Sequence, residues 1–266
     1  MNKKVFKYQS VAESEGRMYN EVKSFLADSG ISGKMMYNIL LTVSEAFTNA
    51  LEHGNQYDAA KSIEISIGVD EKAVTAEIID EGTGDMTSID SRGRADSLQE
   101  GGRGVDLMES IADKINIHKS DRTGGLQISM TFEKGRYINA GWKECNTEEK
   151  MEFNRRDEGN TVVIALSGRL DLSNGSKLKE EVKNILTAGK TSIHLNLAHV
   201  EFVNSSGLGA LVSIMKEIRI HRGRLTLSDL AEYVQEIFDI TQLSHIFEIF
   251  GTEQEALRSY QVVGCN

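Results

Sequence analysis

Apolar positions along the chain change their spacing in an orderly way. Residues 3–9 (KKVFKYQ) alternate weakly and predict an opening strand. Met18, Val22, Phe25 and Leu26 then recur at helical spacing, and Gly30 reads as the stop. A longer helix is expected from about Ser32 to His53, with Gly54 as its C′ residue. Strands follow at Ser62–Val69 and Ala73–Ile79, joined by a tight turn. No period persists over 80–104. A helix over 105–113 and strands at 114–119 and 126–132 complete the first half. The second half restarts with strands at 151–156 and 161–167, a helix over 174–188 and a buried strand at 192–197. Leu208, Leu211, Val212 and Met215 mark a helix over 206–221. A strand at 224–228 and helices near 230–239 and 253–260 close the chain. Strands alternate with helices in both halves, which predicts two α/β sandwich domains without an internal repeat.

Length agrees: 266 residues, at ~150 per domain, make two. The stretch 134–150 is polar with scattered aromatics, so the domains are drawn as 1–135 and 151–266 with a linker at 136–150. Proline is absent where roughly 13 would be average, so Gly, Asn, Asp and Ser must make the turns. No stretch approaches the ~20 apolar residues of a membrane span, and the N-terminus lacks the apolar run of a signal peptide. Cys145 and Cys265 are too few for a disulfide framework and too far apart for a metal knuckle, so a reducing cytoplasm is expected. The net charge of −10 is spread over both halves, with no basic patch of the kind that neutralises phosphates; direct nucleic-acid binding is not expected.

Three segments of the first half carry candidate chemistry. Glu45 and Asn49 stand at i and i+4 and share one helix face. A carboxylate beside an amide can hold Mg²⁺ and a water or hydroxyl, although the pair alone reads more readily as two polar residues on a solvated face. Asp80-Glu-Gly82-Thr-Gly84 follows an apolar strand, where an acid can accept from an amino group and glycines admit a flat ligand. Gly101-Gly102-Arg103-Gly104 opens a helix, and free N–H groups there favour anions.

In this order and spacing the three segments resemble the N, G1 and G2 boxes of the GHKL ATPase superfamily, and most closely the anti-sigma factor serine/threonine kinases. SEAFTNALEHGN, residues 44–55, is the most specific part. The resemblance covers roughly 5–133 and implies a Bergerat-type ATP-binding fold that uses ATP and Mg²⁺. By resemblance, Glu45 is the general base, Asn49 the Mg²⁺ ligand and Asp80 the acceptor for the adenine amino group. Gly82 and Gly84 line the base, 85–103 form the lid, and Gly102, Gly104 and Val105 supply hinge and phosphate contacts. Arg103 either reaches phosphate or lies on the surface. The family often has a Gly-Thr pair on the late strand; here Gly125 precedes Leu126, so the base contact is weaker or comes from another group.

In the second half, Asn204-Ser205-Ser206-Gly207-Leu208-Gly209 opens a helix after a buried strand. Asn204 is a good N-cap, and a phosphate on Ser205 would sit where the helix dipole favours it. A capped helix start without chemistry has the same local pattern. Residues 151–262 resemble a STAS domain of the anti-sigma factor antagonists. Gly168-Arg-Leu170-Asp171 matches the family's early loop, and Ser205 matches its phosphorylated serine, with Ser206 as the second choice. Asp171 matches an acid near that loop, and Asn204 stands where the family has Asp. His194, His199, His221 and His245 show no ligand spacing and are expected to be structural or exposed.

The combined resemblance implies a cytoplasmic partner-switching regulator. Its expected partners are proteins: a sigma factor or other target, a STAS or kinase partner, and further a phosphatase or a second copy of the chain. The alternative is a nucleotide-binding docking module that has lost phosphoryl transfer.

Overall fold

The computed structural model describes residues 2–84, 103–137 and 151–263, which form two compact units. In the first unit β1 (Asn2–Gln9), β2 (Ser62–Val69), β3 (Ala73–Ile79), β4 (Lys114–Lys119) and β5 (Leu126–Glu133) make one antiparallel sheet of order β1-β2-β3-β5-β4. The alternation in β2 is explicit: Ile63, Ile65 and Ile67 are wholly buried while Ser62 and Glu64 are not. Three helices pack on this sheet: α1 (Ser14–Asp28), α2 (Gly33–Asn49) and α3 (Arg103–Ile111). The middle one, α2, touches both neighbours as well as β3 and β5. Phe47 of α2 meets Tyr8 of β1 edge-on, with centroids 5.7 Å apart, which seats the helix at the β1 end.

The expected helix to His53 is corrected. The α-helix stops at Asn49 and continues as a π-helical turn over Ala50–Gly54, in which the Asn55 N–H reaches the Ala50 carbonyl at 2.7 Å. Gly54 is not a left-handed C′ residue. That conformation falls instead on Gln56 and Tyr57, at φ 55° and 57°.

In the second unit β6 (Glu152–Glu158), β7 (Thr161–Leu170), β8 (Ser192–Val203), β9 (Arg224–Ser228) and β10 (Glu248–Phe250) form a sheet of order β10-β9-β8-β7-β6. Only the β6–β7 pair is antiparallel. The crossovers are α4 (Leu172–Thr187), α5 (Ser205–Ile220) and α6 (Glu232–Ile240), and α7 (Glu253–Val263) ends the described chain. Helices α4 and α5 pack on each other. Ile193, Leu195, Leu197, Leu225 and Leu227 supply apolar core, while His194 and Asn196, in register with Thr226 and Ser228, alternate with them. Polar bonds hold α7 to that second set. Tyr260 donates to the Ile193 carbonyl at 2.6 Å and accepts from Thr226 at 3.1 Å, and Asn196 donates to Glu253 at 2.8 Å. His194 is wholly buried, with Nδ1 2.8 Å from the Thr226 hydroxyl and Nε2 2.9 Å from that of Ser228.

Strand β8 runs six residues beyond the expected end because its pairing with β7 slips twice and then resumes up to Val203. That extension brings the Leu170 end of β7 and the Val203 end of β8 level.

Candidate nucleotide site and phosphoacceptor loop

Helix α2 carries a polar stripe of Asn38, Thr42, Glu45 and Asn49 at helical spacing. The solvated-face reading fails for Glu45, which is 1% exposed; Asn49 is half-buried. Beyond the π turn, Asn55 ties three segments together. Its side chain accepts from the Glu81 N–H at 2.9 Å and donates to the Ser62 carbonyl at 3.0 Å. Glu81 in turn accepts from the Ser62 N–H and hydroxyl.

This frame fixes Asp80 at the end of β3. One carboxylate oxygen, Oδ1, accepts from the N–H groups of Gly82 at 2.8 Å and Leu126 at 3.1 Å. Among the described residues Oδ2 has no hydrogen-bond partner. Burial pushes the carboxyl above its ordinary range, against the two N–H donors and the charge of Lys61. Three glycines surround the group. A Cβ on Gly54 would lie 2.6 Å from Oδ2, one on Gly82 would lie 2.9 Å from Oδ1, and one on Gly125 would lie 2.2 Å from Oδ1. Gly54 therefore serves clearance at Asp80 and not helix termination. Gly84 does take the left-handed conformation, at φ +66°, and a Cβ there would meet the Gly124 carbonyl at 2.5 Å.

At the late strand, where Leu126 stands in place of the family's Thr, Asp80 is bonded by Leu126 and by a nearby hydroxyl. Leu126 contributes its N–H to Asp80, and the hydroxyl arrives from Thr123, which donates to the Asp80 carbonyl at 2.6 Å. Arg103, Gly104 and Val105 form the first turn of α3, all buried. Burial of the Arg103 guanidinium lowers its pKa, so it is not a solvated surface arginine. Gly102 and the rest of the expected lid, 85–101, lie outside the described residues. The roles of Gly54, Asn55, Thr123 and Gly125 were missed; no local pattern distinguishes a clearance glycine from a turn glycine.

In the second unit Asn204 caps α5 through its side-chain oxygen, which accepts the Gly207 N–H at 2.9 Å. Ser205 and Ser206 follow in the first turn, both half-buried. Asp171 does the same for α4, accepting the Asn174 N–H at 3.0 Å, and its second oxygen pairs with buried Arg169 at 2.8 Å. The two helix starts meet without room for side chains. A Cβ on Gly207 would stand 2.0 Å from the Leu170 carbonyl, and one on Gly175 would stand 2.7 Å from Ala210 Cβ.

Among the described residues no group of three or more His, Cys, Asp or Glu could hold a metal ion, and His194, His199, His221 and His245 do not cluster. Asn49, half-buried one turn beyond Glu45, offers an amide oxygen of the kind a hard divalent cation takes as a ligand. No helix among the described residues is long and apolar enough to cross a membrane.

The two units are an antiparallel sheet under three helices and a mostly parallel α/β domain, and comparison gives both a family. Residues 9–132 match the histidine kinase-like ATPase domain, and residues 152–256 match the STAS domain. The second half is 30% identical over 105 residues to the anti-sigma-B factor antagonist of Listeria monocytogenes, covering 40% of this chain and 91% of that protein. A separate match, 29% identical over 125 residues, is to the serine-protein kinase RsbW of Bacillus subtilis, covering 42% of this chain and 74% of that protein. The anti-sigma F factor of Clostridium perfringens is 27% identical over 133 residues, covering 48% of this chain and 94% of that protein. Through its second half the chain belongs to the family of the anti-sigma factor antagonists, and it carries a histidine kinase-like ATPase domain in the same polypeptide.

Proposed function

We propose that the chain is a Mg²⁺- and ATP-dependent protein-serine kinase of the anti-sigma factor type, fused through a connector after Tyr137 to a STAS phosphoacceptor domain. The observation that carries this reading is the Asp80 carboxylate: buried, oriented by two backbone donors to one oxygen, and kept clear of side chains by three glycines. A flat base with an amino group suits such an acceptor. Asp80 takes the adenine amino group, with Gly82 and Gly84 against the ring. Asn49 holds Mg²⁺, and Gly102, Arg103, Gly104 and Val105 contact the phosphates. Glu45 accepts the proton of the attacking serine hydroxyl as phosphorus–oxygen bond formation proceeds and ADP departs.

The acceptor is Ser205 of this chain or the matching serine of a separate STAS protein. The names of the relatives point to a sigma factor or an antagonist as partner. Phosphate adds about −1.5 to −2 charge at a helix start, where the dipole tolerates it. Asp171 is already paired with Arg169, so the expected repulsion falls on a docked partner more than on Asp171.

The test is mass spectrometry after incubation with ATP and Mg²⁺. Phosphate on Ser205 that vanishes in Ser205→Ala and in Glu45→Ala supports transfer by this chain. Unmodified Ser205 and Ser206, together with an untouched separate STAS protein, would refute it. Asn49→Ala should abolish the Mg²⁺ dependence of ATP binding measured by calorimetry.

A further inference from the structure

The last described residues of the first unit are bonded to both α2 and α3, the helices that carry candidate nucleotide-site residues. After β5 the chain makes a single 3₁₀ turn, Lys134–Tyr137. Arg136 donates one guanidinium nitrogen to the Ile111 carbonyl and to Asp113, both at 3.2 Å. Ile111 is the last residue of α3, so this bond caps the C-terminus of the helix whose first turn is Arg103-Gly104-Val105. Asp113 is itself held, accepting the Glu133 N–H at 2.7 Å. The next residue, Tyr137, receives the Asn38 amide at 3.2 Å on its hydroxyl. Asn38 is buried and lies seven residues, two turns, before Glu45 on the polar stripe of α2.

We propose that Arg136 and Tyr137 are positioning residues that couple nucleotide occupancy to the connector between the units; this rests on the reading of the Asp80 site as an ATP site. The two helices answer to different parts of the ligand: α3 opens at the phosphates, and α2 carries the proton acceptor and the metal ligand. Nine residues of α3 form a rod about 13 Å long. An adjustment at its first turn on binding phosphate moves its last carbonyl, and with it Arg136. Tyr137 is fastened to α2 instead. Any change in the α2–α3 relation therefore acts on two consecutive residues of one short turn, directly before the connector. Surface capping of α3 alone would need Arg136 but would give Tyr137 no reason to engage the α2 stripe.

By reciprocity, a connector that feels the nucleotide must also change its affinity. Trp142, the chain's one tryptophan, stands five residues beyond Tyr137 and reports on the connector. The experiment titrates Mg-ATP into the full chain, reading binding by calorimetry and Trp142 emission in parallel. It is repeated on Tyr137→Phe, which keeps the ring, and on Arg136→Ala combined with Tyr137→Phe. The wild type should bind and shift its emission. The double variant should still bind, with affinity changed about 5-fold, the low end of allosteric coupling, and should lose most of the emission response. Tyr137→Phe alone should lose part of it. Binding by the wild type without an emission change, or a full response in the double variant, overturns the coupling. Absence of ATP binding to the wild type overturns the nucleotide-site reading itself, and the coupling with it.

Discussion

Gly54→Ala separates clearance at Asp80 from helix propensity, because the two predict opposite effects. Gly54 lies in a helical turn at an ordinary φ, so propensity alone favours alanine by about 1 kcal/mol. The added Cβ, however, would sit 2.6 Å from both Cγ and Oδ2 of Asp80. Relief to ordinary contact needs ~0.8 Å of movement. The carboxylate cannot swing aside freely, since Oδ1 is held by Gly82 and Leu126. Nor can the π turn retreat easily, since Asn55 bonds Ser62 and Glu81. Overpacking of this kind costs about 1–3 kcal/mol, which leaves a net destabilisation of about 0–2 kcal/mol. Displacing Oδ2 removes a charge-assisted acceptor, worth about 1.5–3 kcal/mol, so ATP should bind about 10- to 100-fold more weakly. Calorimetry gives the affinity and urea melts the stability, with Gly251→Ala as control, where the new Cβ meets only Glu255 at 3.4 Å. ATP affinity within 2-fold of wild type in Gly54→Ala would refute the glycine collar as the base site.

Two further outcomes follow from the second unit. Burial lowers the His194 pKa to about 4. The unfolded chain, with a histidine pKa of ~6.5, therefore binds more protons below that pH, and stability falls as pH drops from about 6.5 towards 4, by up to about 3 kcal/mol; urea melts at pH 7 and 5 should show a loss that His194→Gln diminishes. Gly207→Ala would place a Cβ 2.0 Å from the Leu170 carbonyl and should destabilise the second unit by about 2–3 kcal/mol, seen as a lowered melting temperature.

Much of the architecture was legible because strand and helix segments differ in the spacing of their apolar residues. Ser62–Val69, Ala73–Ile79 and Arg224–Ser228 have the bounds their pattern predicts. The three residues of β10 are too few to carry a period, and the slips in β7–β8 pairing disguise the far end of β8. At the site, Glu45, Asn49 and Asp80 could be picked out by residue type and order. Their surroundings could not. Gly54 looked like a helix stop because sequence records an absent side chain and not the carboxylate that needs the space. Thr123 was passed over because its hydroxyl reaches Asp80 across a turn, a contact between positions 43 apart in the chain.

The attachment of α7 has a thermodynamic consequence. Of its described side chains only Ala256 is buried, and the helix is otherwise held by Tyr260, Glu253 and the Arg224 bond to the Ser259 carbonyl. Detachment of α7 would expose polar groups and little hydrocarbon. The sensitivity of an unfolding step to urea scales with the surface it uncovers, so this step has a slope well below that of the whole unit. Hydrogen exchange in α7 would then proceed by an opening that denaturant accelerates less than it accelerates the cooperative transition through which the strands beneath it exchange.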